Sequence, residues 1–451
     1  MERAVEFLNS LIWGAPALVL ILGAGLYLSF RTGFVQITLF RRAFRMFWSK
    51  LCSRHPESGV SPFQALCTAL AATIGTGNIA GVAGAIALGG PGAIFWMWLC
   101  ALVGMMTKFA EATLAVYYRR RQHGEWVGGP MYMISHGMSK KWGFLAYLYC
   151  IFGVFAAFGV GNATQINAVV TGLNQVIAGF GAETTFRRNL GIGLLLAVPV
   201  GLTLIGGAKR IGAAAGLLVP LAAGLYLILC AGVLIFRFRE IPRAFAAIIQ
   251  GAFSPAAFTG GMVGSCFQSL RIGVSRGVFT NEAGMGTASM AHASAEVEHP
   301  AQQGLMGIME VFLDTIVICT MTALVILCSG IEIPYGADNG ASLTTAAFTR
   351  VYGGWVSIPL AISLCLFAVA SILGWGLYGG RCLQYLFGEK AWKPFVILQS
   401  AVVVVGACLQ TGTIWLLAEI VNALMAIPNL TALVLLCPEL VRLVEGYRNR
   451  Q

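Results

Sequence analysis

The chain has 451 residues, 58% of them hydrophobic and only 10% charged, with a formal net charge of +11. A soluble globular protein carries about 25% charged residues, so this composition excludes an ordinary water-soluble domain and, at about 20 apolar residues per span, allows roughly ten to twelve membrane helices. The positive balance does not indicate nucleic acid, because the Lys and Arg residues lie in short loops between apolar runs, where they set membrane orientation.

A first span is expected from about Leu11 to Phe30; acidic Glu2 and Glu6 ahead of it and the lack of a small-residue cleavage pattern after it mark a retained span rather than a signal peptide. Arg31, Arg41, Arg42, Arg45, Lys50 and Arg54 follow, interleaved with Phe40, Phe44, Met46 and Phe47, the pattern of an amphipathic helix lying in the interface. The next stretch, Phe63 to Gly92, is long and apolar enough to cross a bilayer, yet Gly75-Thr76-Gly77-Asn78 at its middle gives up helix propensity. An opened backbone in hydrocarbon costs several kcal/mol per unpaired group, so such a break must face protein or a wet cavity. The alternative is a continuous packing helix whose small residues admit close neighbours.

Further spans are expected over Ala93–Tyr117, Trp142–Phe180, Leu190–Leu204 and Gly212–Phe236, with a short basic turn at Lys209-Arg210. An irregular segment, Ala256–Ala295, precedes spans over Gln303–Cys328, Val356–Gly380, Pro394–Leu409 and Thr413–Leu436. With the Arg31–Arg54 segment in the cytoplasm, Arg119–Lys141, Lys209-Arg210, Arg381–Lys393 and the C-terminus fall on the same side. Arg187-Arg188, Arg237–Arg243 and Arg350 fall opposite, partly offset by Glu183, Glu240, Glu332 and Asp338. The asymmetry predicts about eleven transmembrane helices, with the N-terminus outside and the C-terminus cytoplasmic.

Ten of these spans form two sets of five around the loop at Arg237–Arg243, and the first helix of each set is interrupted, at Gly75–Asn78 and within Gly277–Gly286. Five helices reverse the chain direction, so paired breaks at matching positions indicate an inverted-repeat secondary transporter with a midplane site. The implied division is an extra span and amphipathic segment over 1–60, repeats over 61–240 and 241–440, and a cytoplasmic tail over 441–451.

A half-helix that begins inside the membrane presents N–H groups to an anion, and one that ends there offers carbonyls to a cation. The amides around Thr76, Gly77 and Asn78 therefore suit a carboxylate. The carbonyls of Ala71, Ala72 and Ile74 suit a sodium ion, with Thr73, Asn78, Asn281 and Ser371 as side-chain donors; each hydroxyl has the alternative of bonding to its own helix. Glu282 lies in the second break. Glu310 and Asp314 share a helical face and would repel unless one is protonated, paired with Arg271 or Arg276, or beside a cation.

Lys108 and Glu111, three residues apart, are expected to neutralise each other. In the polar patch Asn162, Gln165 and Asn167, Gln165 is the candidate for substrate contact and the asparagines for interhelical hydrogen bonds. Trp375, one turn after Ser371, either narrows a pocket or packs as an aromatic. The twelve cysteines lack metal-ligand spacing, and no nucleophile elbow, Walker loop or zinc pattern occurs. Neither enzyme chemistry, a transition metal nor an organic cofactor is expected.

The run GGPGAIFWMWLCALVG (Gly89 to Gly104) resembles the signature of the sodium:alanine (alanine or glycine:cation) symporter family. TALAATIGTGNIAGVAGAIA, GGPMYMI (Gly128 to Ile134), RGVFTNEAGMG and QGLMGIMEVFLDT (Gln303 to Thr315) are similar to its other blocks, so the resemblance covers nearly the whole chain. It implies an all-α LeuT-type fold, a 5+5 inverted repeat with discontinuous helices plus one extra N-terminal helix. It further implies sodium-coupled symport of a small neutral amino acid, alanine or glycine and conceivably D-alanine, across the cytoplasmic membrane.

Carried onto matching positions, Thr76, Gly77, Asn78, Gln165, Asn281, Ser371 and Trp375 would line the amino-acid site, and Ala71, Ile74 and Ser371 would contribute to a sodium site. Sodium would be the coupling ion, the amino acid and the lipid bilayer the partners, with no nucleic acid, and the chain a monomer. The sequence departs from the family pattern at Ala370, where a second hydroxyl usually precedes Ser371, at Met285, and at Gly380, where an acid is common. Proton coupling through Glu282 or Asp314, a larger substrate such as glutamine, and a non-transporting amino-acid sensor stay open beside the main reading.

Overall fold

The computed structural model of the protein describes residues 15–51, 59–122, 124–178, 185–261, 263–337, 340–409 and 412–449. Glu2, Glu6, Leu11, Arg54, Phe180, Glu183 and Asp338 lie outside the described residues.

In lipid only a helix satisfies every backbone group within its own segment, and the apolar runs fold accordingly. Helix α1 (Ala15–Thr32) leads to the amphipathic α2 (Phe40–Leu51), then to α3 (Pro62–Thr73) and α4 (Val82–Gly89). Next come α5 (Ala93–Tyr117), a hairpin of β1 (Arg120–Gln122) and β2 (Glu125–Val127), α6 (Pro130–Gly137), α7 (Phe144–Phe158) and α8 (Thr164–Ala178). Helices α9 (Phe186–Ile205), α10 (Gly207–Phe236) and α11 (Ile241–Phe253) follow.

The second half holds α12 (Cys266–Asn281), α13 (Thr287–Ala293), α14 (Pro300–Val311), α15 (Thr320–Cys328) and α16 (Gly340–Tyr352). It ends with α17 (Ser357–Phe387), α18 (Trp392–Cys408), α19 (Gly412–Leu435) and α20 (Cys437–Asn449). On α10, Leu217, Leu221, Ile228 and Ile235 are 55–71% exposed, an outward apolar stripe that suits acyl chains rather than water.

Among the described residues, seven helices are long and apolar enough to cross a membrane, or nine if each bent pair is one span. The expected eleven fit this arrangement. Helix α1 starts at the edge of the described residues, and the α12–α13 pair carries Arg271, Arg276 and Glu282, too much charge to register on composition. One boundary differs from expectation. Lys209 and Arg210 are not a turn but lie in the first turn of α10; the bend is at Gly206-Gly207, where Gly207 takes φ +67°.

The two interruptions are placed at the start of each half. Helix α3 opens with a reciprocal cap, Gln64 N donating to Ser61 Oγ and Ser61 N to Gln64 Oε1, both at 3.0 Å. It ends at Thr73, and the chain re-enters a helix from Gly77 at an angle of 55°. Of the second stretch, residues 277–281 remain helical and the gap is at 282–286, where Glu282, Gly284 and Gly286 take φ of +52°, +98° and +77°. Positive φ is available to glycine at no steric cost, which is why the helix yields here.

Wide π-helical turns occur at Gly77–Gly81, Gly159–Ala163 and Phe312–Cys319, the last two joining α7 to α8 and α14 to α15. The inner halves α3 and α13 are joined at one end: Val60 pairs in parallel with Ala295, and Glu296 N donates to Val60 O at 2.9 Å. Arg119 donates to the carbonyls of Ala293 and Ala295 at the same place. At the other end Thr344 of α16 donates to Ile79 O at 3.0 Å, tying α16 to the half-helix that follows the first break.

Candidate functional site

The first break forms because Gly75 N–H, which a continuing helix would give to Ala71 O, donates instead to Asn78 Oδ1 at 2.9 Å. Ala71 O is thereby released, and Ser371 Oγ on α17 donates to it at 2.8 Å. Ile74 caps α3 with extended ψ of 111°, turning its peptide out of the helical direction. Ala71, Ile74 and Ser371 thus stand together at the end of a half-helix, all buried. Thr73 does not join them; its hydroxyl bonds back to Ala69 O and Leu70 O. Ala370, next to Ser371, is fully buried and brings no oxygen.

Thr76, Gly77 and Asn78 begin the second half-helix, so their N–H groups are directed back across the gap. Gln165 of α8 faces this gap: a Cβ on Gly75 would lie 3.2 Å from Ser371 Oγ and 3.5 Å from Gln165 Oε1. Gln165 Nε2 donates to Val160 O at 3.2 Å, while Oε1 is buried without a partner. A buried acceptor left open is costly, and an ammonium group is the natural donor to it.

Asn78 also reaches the other break. Its Nδ2 donates to Asp314 Oδ1 at 2.6 Å, Thr315 Oγ1 donates to Asp314 Oδ2 at 2.8 Å, and Asn281 Nδ2 donates to Thr315 Oγ1 at 3.2 Å. Asn281 Oδ1 accepts from Ala283 N at 3.0 Å, holding the turn that follows α12. One chain of hydrogen bonds therefore runs from break to break through the π turn of residues 312–319. Phe279 and Thr280 of α12 border Gly77 at 3.4–3.6 Å from where a Cβ would stand.

Of the seven residues expected at the amino-acid site, Thr76, Gly77, Asn78, Gln165 and Ser371 meet at the first break, and Asn281 joins them through Thr315 and Asp314. Trp375 is fully buried against the π turn of residues 159–163, where a Cβ on Gly161 would come within 2.2 Å of Trp375 Cβ, and its ring meets Tyr378 edge-on at 5.7 Å. Its geometry is that of a packed wall behind Gln165. Asn162 and Asn167 donate to Gln399 O and Leu409 O at 2.7 and 2.8 Å, the interhelical bonds expected of them.

The ionisable residues pair differently from the sequence expectation. The direct partner of Lys108 is not Glu111 but Glu310, at 3.1 Å, both side chains fully buried. Glu310 Oε2 also meets His292 Nε2 at 2.8 Å, so its partners are Lys108 and His292 rather than Arg271 or Arg276. Glu111 Oε1 instead accepts from Gly284 N, Gly286 N and Asn429 Nδ2 at 2.7–3.0 Å, taking up amides that the second break releases. Glu282 accepts from Thr287 Oγ1 at 2.6 Å.

The π turn starting at Phe312 turns Asp314 to Asn78, while Glu310 pairs with Lys108 and His292. Thr280, Thr315, His292, Asn429 and the second role of Glu111 were not singled out from sequence. Glycines in GNIAG and GVGNA hint at two of the π turns, whereas FLDTIVIC carries no such mark.

A sequence profile of the sodium:alanine symporter family matches residues 1–451. A sodium/alanine symporter of Methanococcus maripaludis is 42% identical over 442 residues, covering 96% of this chain and 94% of its own length. A probable sodium/glutamine symporter of Bacillus subtilis is 36% identical over 456 residues, covering 100% and 91%. Among solved structures, MhsT in complex with L-phenylalanine has a TM-score of 0.60 at 14% identity, over 87% of this chain and 99% of that one. A nucleobase-cation-symport-1 family transporter in a closed conformation has a TM-score of 0.51, over 78% and 72%.

Proposed function

Because the chain belongs to the sodium:alanine symporter family, a multi-pass membrane transporter family with a LeuT-type fold, we propose that it couples inward sodium movement to uptake of alanine or glycine. The amino acid would lie between the two breaks, its carboxylate on the amides of Thr76, Gly77 and Asn78 and its ammonium on Gln165 Oε1, with Asn281 and Ser371 at the rim and Trp375 as the wall. Sodium would take Ala71 O, Ile74 O and Ser371 Oγ. At about 100 mV each inward charge supplies roughly 2.3 kcal/mol, enough for one ion to drive accumulation.

The observation that carries this reading is the open acceptor of Gln165 facing the gap at Gly75. We place the protein in the cytoplasmic membrane as a monomer with its C-terminus inside, with repeats at 61–240 and 241–440 and no enzymatic step. A second reading, proton coupling, is favoured by Asp314, a buried carboxylate with no ion pair among the described residues.

Uptake of a labelled amino-acid panel that includes alanine, glycine and glutamine, into proteoliposomes under imposed sodium or proton gradients, separates these readings. Accumulation of alanine that follows sodium is expected. Uptake indifferent to sodium overturns the main reading, and preference for glutamine overturns the small-substrate part.

A further inference from the structure

Helices α2 and α20 enclose a groove of about 600 Å³ at the end where the basic loops gather. Thr38, Arg41, Arg42, Arg45, Ser49 and Tyr447 line it, and no carboxylate does. Arg42 lies over the Tyr447 ring at 5.2 Å, and Arg448 donates to Thr38 Oγ1 at 3.1 Å at its rim. Arg41 and Arg45 are exposed, with no ion pair among the described residues.

The helical spacing sorts α2 into three strips. Arg41, Arg45 and Ser49 recur every four residues along the groove. Phe44 and Trp48, 42% and 52% exposed with their rings edge-on at 6.1 Å, run beside them. On the inner side Phe40 packs on Phe312 and Phe47 on Phe63, at 5.1 and 6.3 Å. A row of guanidinium groups thus borders an open aromatic strip, the order of phosphate and acyl levels at a membrane surface.

We propose that this groove binds the phosphodiester headgroup of an anionic phospholipid. Guanidinium groups match phosphate oxygens in charge and geometry. A free anion would use the same charges but leave Phe44 and Trp48 uncovered, whereas the lipid's chains cover them, so the occupant is the lipid. Because α2 leans on Phe63, at the foot of the first broken helix, and on Phe312, at the start of the π turn that holds Asp314, an occupied groove braces both.

Native mass spectrometry of the full chain with added phosphatidylglycerol or phosphatidylcholine reads this directly and needs no transport, so its failure is distinguishable from that of the substrate reading. The wild type is expected to retain phosphatidylglycerol at concentrations about 30-fold below phosphatidylcholine. The doubly substituted Arg41→Gln/Arg45→Gln protein should lose that preference, while Lys390→Gln/Lys393→Gln at another groove keeps it. Equal retention of the two lipids by the wild type, an unchanged preference in the arginine variant, or displacement of the lipid by millimolar inorganic phosphate overturns the assignment.

Discussion

Asn78 and Asp314, 236 residues apart in sequence, are held at 2.6 Å, and the amide that donates to Asp314 closes the first break through its own carbonyl oxygen on Gly75 N. One side chain therefore fixes both the gap and the neighbouring π turn. Replacing it removes a partner from a buried N–H and from a buried carboxylate, each costing about 1–3 kcal/mol. Asn78→Ala is expected to fold with a lowered Tm and to lose sodium-dependent alanine binding. Normal binding by this variant would show that the amino acid sits elsewhere.

At the proposed sodium site Ser371 offers a hydroxyl, and the fully buried Ala370 beside it offers none. Ser371→Ala should raise the sodium concentration needed for half-maximal alanine binding by tenfold or so, the loss of about 1.4 kcal/mol of ligand interaction. Ala370→Ser should lower it. A sodium titration of substrate binding reads both, and opposite or absent shifts would remove the ion from this half-helix end.

Gly161 lies where a Cβ would stand 2.2 Å from Trp375 Cβ. Gly161→Ala should destabilise the protein by about 1–3 kcal/mol through overpacking. Combining it with Trp375→Gly, which removes the Cβ it would strike, should cost less than the sum of the two single changes, measured by thermal unfolding in detergent. Additive effects would mean the wall is not packed on this turn.

Lys108 and Glu310 form a fully buried ion pair at 3.1 Å. Lys108→Met leaves a carboxylate buried beside His292 alone and should cost about 3–5 kcal/mol, whereas Lys108→Met with Glu310→Met should recover most of it. A double-mutant cycle by thermal unfolding decides; a double variant as unstable as the single one would mean the pair does more than balance charge.

Much of this was legible from the chain, because the signals were local. Gly75-Thr76-Gly77-Asn78 lacks helix propensity in an apolar run, so its break could be placed to within a few residues, and Asn162 and Asn167 had few polar groups to reach except a neighbouring helix. The ion pairs were not legible. The spacing of Lys108 and Glu111 is compatible with a bond along one helix, but α14 brings Glu310 to the lysine and the second break offers Glu111 two free amides. The second break lies within the expected Gly277–Gly286, but its first five residues stay helical because Gly277 packs tightly on Cys100 and Met97 of α5 rather than opening the helix. Winding changes such as that of FLDTIVIC depend on tertiary partners that no local pattern records.

The pairing of Val60 with Ala295 stitches the start of α3 to the end of α13 through main-chain atoms. Arg119 adds its own bonds to the same seam through the carbonyls of Ala293 and Ala295. The bond itself is made by peptide groups, so it depends on the backbone at 60 and 296 rather than on the side chain of Glu296. Its weak point is position 296, where an imino acid would leave nothing to donate.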